Sequence, residues 1–181
     1  MVTQDNLPSY FLKTPRTGFR RWTREDVALA KQLWGEDAVS KYICAEGRFT
    51  EQEIVKRLYT EIDNLIKFNM QYWPFFALET GELIGCCGVR PFQGEEQGYE
   101  IGFHLRKKFW GKGYASEAAT AVIKEFFAMG KADRLYAGHH PDNSGSQKLL
   151  KRLGFEPIGE RFYEPTGLFH PCYVLHRKTE R

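Results

Sequence analysis

The chain has 181 residues, enough for one domain with a single core, and 15% of them are aromatic. Its formal net charge of +3 is too small to indicate nucleic-acid binding, and no basic run interleaved with aromatic residues occurs. No stretch of about 18 apolar residues predicts a membrane span, and the N-terminus lacks the apolar segment of a signal peptide. We therefore expect one domain over residues 1–181, in a cytoplasmic protein that binds neither nucleic acid nor membranes.

The first half of the chain predicts a strand and two helices. Residues 17–23 have the composition of a strand, and Thr23-x-x-Asp26 is typical of the start of a helix, here over residues 25–34. A capping box, Thr50-x-x-Glu53, predicts the start of a second helix. The apolar residues that follow it recur at spacings of three and four, which indicates an amphipathic helix.

The middle of the chain predicts a β-hairpin and a further strand. The hairpin has strands Phe75–Leu78 and Leu83–Val89, which are joined by the turn at residues 79–82. A loop with Pro91, Gly94 and Gly98 leads to an apolar strand, Tyr99–Leu105.

The last third alternates helices and strands. A helix over residues 114–129 is followed by a strand, Arg134–His139, and by a helix from the N-cap Asn143 to Leu153. Strands near residues 155–161 and 171–177 complete the chain. Because a strand–helix–strand crossover places its two strands parallel, the order predicts a mixed α/β sheet.

Cysteine and histidine positions predict no metal site. The cysteines have no CxxC spacing, and the adjacent pair Cys86-Cys87 would alternate faces on a strand. His139 and His140 would also point to opposite faces if both lay on a strand. We therefore expect free thiols and no bound metal.

The segment between residues 104 and 118 predicts an anion site. It carries Gly111 and Gly113 together with four cations immediately before a helix, namely Arg106, Lys107, Lys108 and Lys112. Glycines allow backbone N–H groups to approach an anion, and a helix N-terminus adds partial positive charge. A pyrophosphate suits this loop. A Walker loop is excluded by Arg106 at its first glycine position, and Ser116 replaces the third glycine of a dinucleotide fingerprint.

Lys108-x-x-Gly111-x-Gly113-x-Ala115 resembles the coenzyme A loop of the GNAT acyltransferase superfamily. Tyr99–Phe103 before the loop, Asn143-x-x-Ser146 and Gly154-Phe155 are similar to further family segments. Residues 14–26 resemble the opening strand of the RimJ and RimL branch, whose members acetylate the N-termini of ribosomal proteins.

This resemblance implies a single-domain fold with a mixed, mostly antiparallel sheet of about seven strands. A central parallel pair would splay apart, with helices on both faces. It also implies an acetyl-CoA-dependent N-acetyltransferase, monomeric or homodimeric, whose acceptor is a primary amine of a peptide N-terminus or a small molecule. The alternative is a non-catalytic module that binds acyl-CoA.

The resemblance also indicates residues that bind acetyl-CoA. They belong to the strand end, the glycine loop and the start of the following helices: Phe103, Leu105, Lys108, Phe109, Trp110, Gly111, Lys112, Gly113, Tyr114, Ala115, Asn143 and Ser146.

Three residues are candidates for the chemistry. Glu100 is a charged residue in an apolar strand, where it is the first candidate for the general base, and His104 on the same face is the second. Many superfamily members have a tyrosine that protonates the thiolate, but the corresponding position here is Leu150. In the RimJ and RimL branch the serine stands near the sulfur, which makes Ser146 the candidate donor.

The family places the acceptor between the N-terminal helices and the loop near residues 161–170. Aromatic residues in these segments predict an aromatic acceptor site, with core packing as the alternative role: Trp34, Tyr42, Phe49, Trp73, Tyr163 and Phe169.

Overall fold

The computed structural model describes residues 9–92 and 98–178. Its strands are β1 (Leu12–Lys13), β2 (Thr17–Phe19), β3 (Tyr72–Ala77), β4 (Leu83–Pro91), β5 (Tyr99–Leu105), β6 (Arg134–Gly138), β7 (Glu156–Tyr163) and β8 (Leu168–His176). Its α-helices are α1 (Val27–Trp34), α2 (Asp37–Ser40), α3 (Glu51–Phe68), α4 (Tyr114–Ala128) and α5 (Ser144–Arg152). Short 3-10 helices occupy Arg24–Asp26 and Lys107–Phe109. Gly94, which the sequence places in a loop, lies outside the described residues.

All these strands form one mixed sheet, in the order β1-β2-β3-β4-β5-β6-β8-β7. Only β5 and β6 run parallel, and they share a single register pair, Glu100 with Tyr136. Beyond that pair the two strands separate toward their carboxyl ends. The predicted α/β sheet with a splayed parallel pair is therefore confirmed, although eight strands are described rather than about seven. The additional strand is β1, whose two residues pair with β2 at the edge of the sheet.

Helices cover both faces of the sheet. Ala118 and Val122 of α4 and Leu150 of α5 belong to one apolar core cluster. Leu33 of α1 and Leu58 of α3 belong to a second cluster, on the opposite face. The even-numbered residues of β5, from Glu100 to His104, therefore face α1 and α3, as strand alternation predicts.

Two predicted helix starts are confirmed by their capping contacts. The Thr50 N–H donates to Glu53 Oε2 at 2.7 Å, and the Glu53 N–H donates to Thr50 Oγ1 at 3.3 Å. At α5, the Ser146 N–H donates to Asn143 Oδ1 at 3.0 Å. Both contacts satisfy backbone donors that a helix leaves free at its first turn.

Several predicted boundaries were wrong for local reasons. The strand predicted at residues 17–23 is β2 and ends at Phe19, and the next side chain, that of Arg20, pairs with Asp26 at 2.7 Å. A 3-10 turn then precedes α1, which begins at Val27. Strand β3 begins at Tyr72 despite containing Pro74, whose carbonyl accepts from the Arg20 N–H. Helix α2 has only four residues, too few to show an apolar period.

The C-terminal strands also differ from the prediction. Strand β6 ends at Gly138, one residue earlier than expected, so that His139 lies beyond it. The predicted loop at residues 161–170 is mostly strand, since β7 extends to Tyr163 and β8 starts at Leu168. Within residues 9–92 and 98–178, no helix combines the length and apolarity that a membrane span needs.

Candidate active site

A cavity of about 670 Å³ opens where β5 and β6 separate. Its wall includes the start of α4 and of α5 from one face of the sheet. The other face contributes Val39 of α2, Tyr42 from the turn after α2, and Arg57 of α3. The cavity therefore has two halves, one on each face of the sheet. The halves meet at the gap between β5 and β6, where Glu100 and Gly102 of β5 form part of the wall.

The glycine loop forms one end of this cavity. Gly111 and Gly113 both have left-handed backbone conformations, with φ of 72° and 81°. Gly113 is the N-cap of α4, and the first-turn residues Tyr114 and Ala115 line the cavity. A Cβ on Gly113 would also come within 3.3 Å of Arg16 Nη2. The loop therefore presents unencumbered backbone at a helix N-terminus, which is an arrangement that binds phosphate oxygens.

The cations of this loop do not line the cavity. Arg106 pairs with Glu36 at 3.0 Å and with Glu82 at 3.1 Å, and Lys108 pairs with Glu82 as well. The Lys112 side chain is likewise absent from the cavity wall, whereas its carbonyl accepts from Arg16 at 3.0 Å. Such ion pairs stabilise the loop rather than offering free charge.

Two cations that the sequence analysis did not identify do line the cavity. Lys148 and Arg152 lie one turn apart on α5 and contribute to its wall. Asn143 predicts the start of a helix, and two cations four residues apart in such a helix lie on one face. This spacing is the sequence signal that could have indicated Lys148 and Arg152.

The remaining residues predicted to bind the cofactor line the cavity as a group. From the strand and the loop they are Phe103, Leu105, Phe109 and Trp110, and from the start of α5 they are Asn143 and Ser146. The Trp110 indole donates to the Leu105 carbonyl at 2.7 Å, which holds the loop against the end of β5. Leu150 is fully buried in the core and does not reach the cavity.

Glu100 belongs to a partly buried ionic network. Its Oε1 accepts from the Tyr72 hydroxyl at 3.2 Å and from Arg90 Nε at 2.8 Å. Arg90 also lies 3.8 Å from Glu61, which is 1% exposed and accepts from the Tyr72 backbone N–H. Both hydrogen bonds to Glu100 use one oxygen, so Oε2 is the oxygen left to accept a proton from a ligand or from water.

Tyr72 reaches Glu100 because residue 102 is a glycine. A Cβ at Gly102 would overlap the Tyr72 ring. Burial raises the pKa of Tyr72 well above 10. The negative charges of Glu100 and Glu61 also raise this pKa, whereas the positive charge of Arg90 lowers it. The hydroxyl therefore remains a hydrogen-bond donor to Glu100 at all physiological pH values.

His104 is held in its neutral form. Burial, followed by the positive charges of Arg57 and Arg90, lowers its pKa well below 6.5. The Trp34 indole N–H can only donate, and it lies 3.2 Å from His104 Nδ1. Nδ1 is therefore the acceptor and Nε2 carries the proton, so that this ring offers a donor rather than a base to the cavity.

The aromatic residues predicted at the acceptor site divide into two groups. Tyr42 and Tyr163 line the cavity. Trp34 and Trp73 are core residues, Phe49 packs against the second core cluster, and Phe169 is exposed on β8. The Ala45 N–H donates to the Pro165 carbonyl at 2.8 Å, which closes the space between the α2–α3 segment and the β7–β8 turn.

Three histidines also line this end of the cavity: His139, His140 and His170. The strand alternation considered for His139 and His140 does not apply, because both residues follow the end of β6. Burial lowers the pKa of His139, whose Nε2 lies 3.2 Å from the Tyr173 hydroxyl. Burial, with the charges of His140 and His139, lowers the pKa of His170 to about 4. Among the described residues, no cluster of three or more His, Cys, Asp or Glu side chains has a metal-binding arrangement.

The chain is similar in sequence to known acetyltransferases. The family model described as "Acetyltransferase (GNAT) domain" matches residues 16–156. A protein of Bacillus licheniformis named uncharacterized N-acetyltransferase p20 is 32% identical over 149 residues, covering 82% of this chain and 83% of that protein. The [ribosomal protein uS5]-alanine N-acetyltransferase of Escherichia coli is 33% identical over 89 residues, covering 49% and 46% of the two chains.

Solved structures share the fold. A GNAT-family acetyltransferase from Bacillus anthracis has a TM-score of 0.76 at 25% identity, covering 91% of this chain and 97% of its own. RimL, a ribosomal L7/L12 alpha-N-protein acetyltransferase solved with coenzyme A, has a TM-score of 0.77 at 16% identity, covering 93% and 98%. At 16% identity the likeness to RimL shows the fold alone.

Proposed function

The chain is an N-acetyltransferase of the GNAT family, and we propose that it transfers the acetyl group of acetyl-CoA to a primary amine. The observation that carries this proposal is one continuous cavity that joins the glycine loop on one face of the sheet to the Glu100 carboxylate on the other. A donor bound at the loop would reach an acceptor bound at Glu100 through the gap between β5 and β6.

The residues at the loop end fit acetyl-CoA. The backbone N–H groups of the first turn of α4 suit the pyrophosphate, and Lys148 and Arg152 supply the positive charge that the loop cations do not direct into the cavity. Because Asn143 Oδ1 caps α5, its side-chain NH₂ group is the part that can donate to an amide carbonyl of the pantetheine arm.

At the other end, Glu100 acts on the acceptor. An α-amine has a pKa of about 7.7–8.0 and a lysine amine one of about 10.4, so the attacking amine must lose a proton near neutral pH. Glu100 accepts this proton at Oε2, directly or through one water. Tyr72 and Arg90 hold the other oxygen, which fixes the direction in which the carboxylate accepts.

The reaction needs no covalent enzyme intermediate, because a thioester is already an activated acyl donor. The amine nitrogen forms a bond to the acetyl carbonyl carbon, and the bond from that carbon to sulfur breaks. The Ser146 hydroxyl stabilises the leaving thiolate by donating to it, and backbone N–H groups of the separated strand stabilise the developing oxyanion.

The named relatives suggest which acceptor to test first. Relatives and fold neighbours include enzymes named for alanine of ribosomal protein uS5 and for the N-terminus of L7/L12. We propose a peptide or protein N-terminus as the first acceptor class and a small-molecule amine as the second. A non-catalytic acyl-CoA-binding module is the competing interpretation. The observation in its favour is that Leu150 occupies the position at which many superfamily members have a tyrosine.

Thermal unfolding with and without acetyl-CoA tests the donor half of the proposal. Ligand at about 100 times its Kd should stabilise the fold by about 2.7 kcal/mol, and a domain of this size gains roughly 2–4 °C per kcal/mol. We expect a rise in Tm with acetyl-CoA and none with ATP or NAD. Unchanged unfolding at millimolar acetyl-CoA would refute the donor assignment.

A further inference from the structure

Arg57 places a positive charge in the acceptor half of the cavity. It lies on α3 one turn before the buried Glu61, on the side of the helix that faces the sheet. Its guanidinium carbon is 5.2 Å from the ring centroid of Trp34 and 5.5 Å from that of Phe49. These two rings hold the guanidinium in position through cation–π contacts, and the residue lines the cavity.

Arg57 forms no ion pair within the part of the chain that the structure describes, although its charge acts at longer range on the buried carboxyl of Glu61. No described carboxylate lies within ion-pair distance of it, and its Nε is buried without a hydrogen-bond partner. Arg90 provides the contrast, since it pairs with both Glu100 and Glu61. A buried donor without a partner costs free energy unless a ligand supplies the acceptor.

The surroundings of Arg57 favour a strong interaction with an anion. Val39 and Ile43 are apolar neighbours in the same wall, and a low local dielectric strengthens charge-assisted hydrogen bonds. Its charge also acts at the reaction centre, because it contributes to the lowered pKa of His104. Arg57 lies on the face of Glu100, opposite the glycine loop, so the ligand that meets it is the acceptor rather than the phosphates of the donor.

We propose that the acceptor carries a carboxylate close to its amine and that Arg57 binds this carboxylate while Glu100 takes the proton. The inference rests on the proposed function and narrows it to one substrate class, acidic amines. Amino acids with a free carboxylate and peptides with an acidic residue beside the N-terminus both have this chemistry.

Matched acceptor pairs test the inference. One pair consists of peptides with Asp or Asn at the second position, and the other of free amino acids and their C-terminal amides. With acetyl-CoA as the donor, we expect the acidic member of at least one pair to be preferred in kcat/KM by about ten-fold or more. The variant Arg57→Gln should remove this preference by slowing the acidic member alone, and Arg57→Lys should restore part of it.

The exposed neighbour Lys56 supplies the control, because Lys56→Gln removes the same charge from the outer side of α3. That variant should keep the wild-type preference. The Kd for acetyl-CoA should be the same in all variants, which separates loss of acceptor recognition from loss of folding.

The outcomes separate this inference from the proposed function. Equal acetylation of acidic and neutral members by the wild type, or an unchanged preference in Arg57→Gln, would overturn the role of Arg57 and leave acetyl transfer standing. Acetyl-CoA binding without acetylation of any acceptor would refute the proposed function and this inference together.

Discussion

The two ends of the cavity differ in the chemical groups that form them, backbone at one end and side chains at the other. At the donor end, most of the features that suit the ligand belong to the backbone. They are two left-handed glycines, the first turn of α4 and the capped start of α5. At the acceptor end, side chains from distant parts of the chain meet, with Arg57 from α3, Arg90 from β4 and Glu100 from β5. Each motif of the donor end is thus local in sequence, whereas the acceptor end joins side chains from three separate elements.

This difference separates binding of the donor phosphates, which we expect to be insensitive to side-chain changes, from recognition of the acceptor, which we expect to vary with them. A backbone site binds the same phosphate groups whatever the surrounding side chains are, because its donors are peptide N–H groups. A side-chain network can change its substrate by a few substitutions. We therefore expect mutations at the donor end to abolish binding of acetyl-CoA, and mutations at the acceptor end to change rate or selectivity.

The largest effect is expected for Gly113→Trp. A side chain there would be strained at φ of 81° and would enter the donor end beside Arg16. Strain at such a position costs about 1–3 kcal/mol, and the obstruction adds to it. Calorimetric titration should show no binding of acetyl-CoA. Gly47→Trp is the control, since Gly47 has φ of 72° in open space. Gly47→Trp should lose a similar amount of stability but still bind acetyl-CoA. Loss of acetyl-CoA binding in both variants would contradict a specific role for Gly113.

Glu100→Gln should mainly affect the chemical step. Removing a general base lowers kcat by about 10²–10⁴-fold, while the Kd for acetyl-CoA should stay close to that of the wild type. Steady-state kinetics over a range of pH values provide the measurement. Asp26→Asn is a matched control, because Asp26 also pairs with an arginine but lies outside the cavity wall. Identical rates of Glu100→Gln and wild type at every pH would remove Glu100 from the mechanism.

Ser146→Ala should have a smaller effect on the same step. The hydroxyl is expected to donate one hydrogen bond to the thiolate, and its loss should lower kcat by about ten-fold, equivalent to about 1.4 kcal/mol. The backbone N–H of residue 146 still caps to Asn143, so the helix start should be retained. A fall in acetyl-CoA affinity with kcat unchanged would instead assign Ser146 to binding.

The smallest expected effect concerns stability at acidic pH. The pKa of His170 is lowered to about 4 by burial and by its histidine neighbours. Its folded pKa lies below the unfolded value of about 6.5, so its contribution is fully present above pH 6.5 and is lost as the pH falls toward 4. Tm measured from pH 7 to pH 4 should therefore fall less in His170→Asn than in wild type, and parallel curves would contradict the assignment.

The contrast between the two ends also explains what could be predicted from the sequence. The glycine loop, the N-cap Asn143 and the alternation of Glu100 and His104 are local patterns, and the structure places the residues of all three in the cavity wall. The roles of these residues stay predictions.

The rest could not be predicted, because it depends on partners far apart in the chain. The pairing of Lys108 with Glu82 spans a hairpin, and the donation from Trp34 to His104 joins a helix to a strand. No spacing in the sequence reveals such pairs. For the same reason no sequence pattern distinguishes Arg57, since its helix position resembles that of an ordinary surface cation.

Acetyl transfer itself is the measurement that tests the central claim most directly. The protein is incubated with acetyl-CoA and a panel of peptides and small amines, with free thiol and acceptor mass followed together. The account predicts one acetyl group on the acceptor amine for each thiol released, with Glu100→Gln much slower. Firm binding of acetyl-CoA without acetylation of any acceptor would contradict it and would favour a module that binds acyl-CoA without turnover.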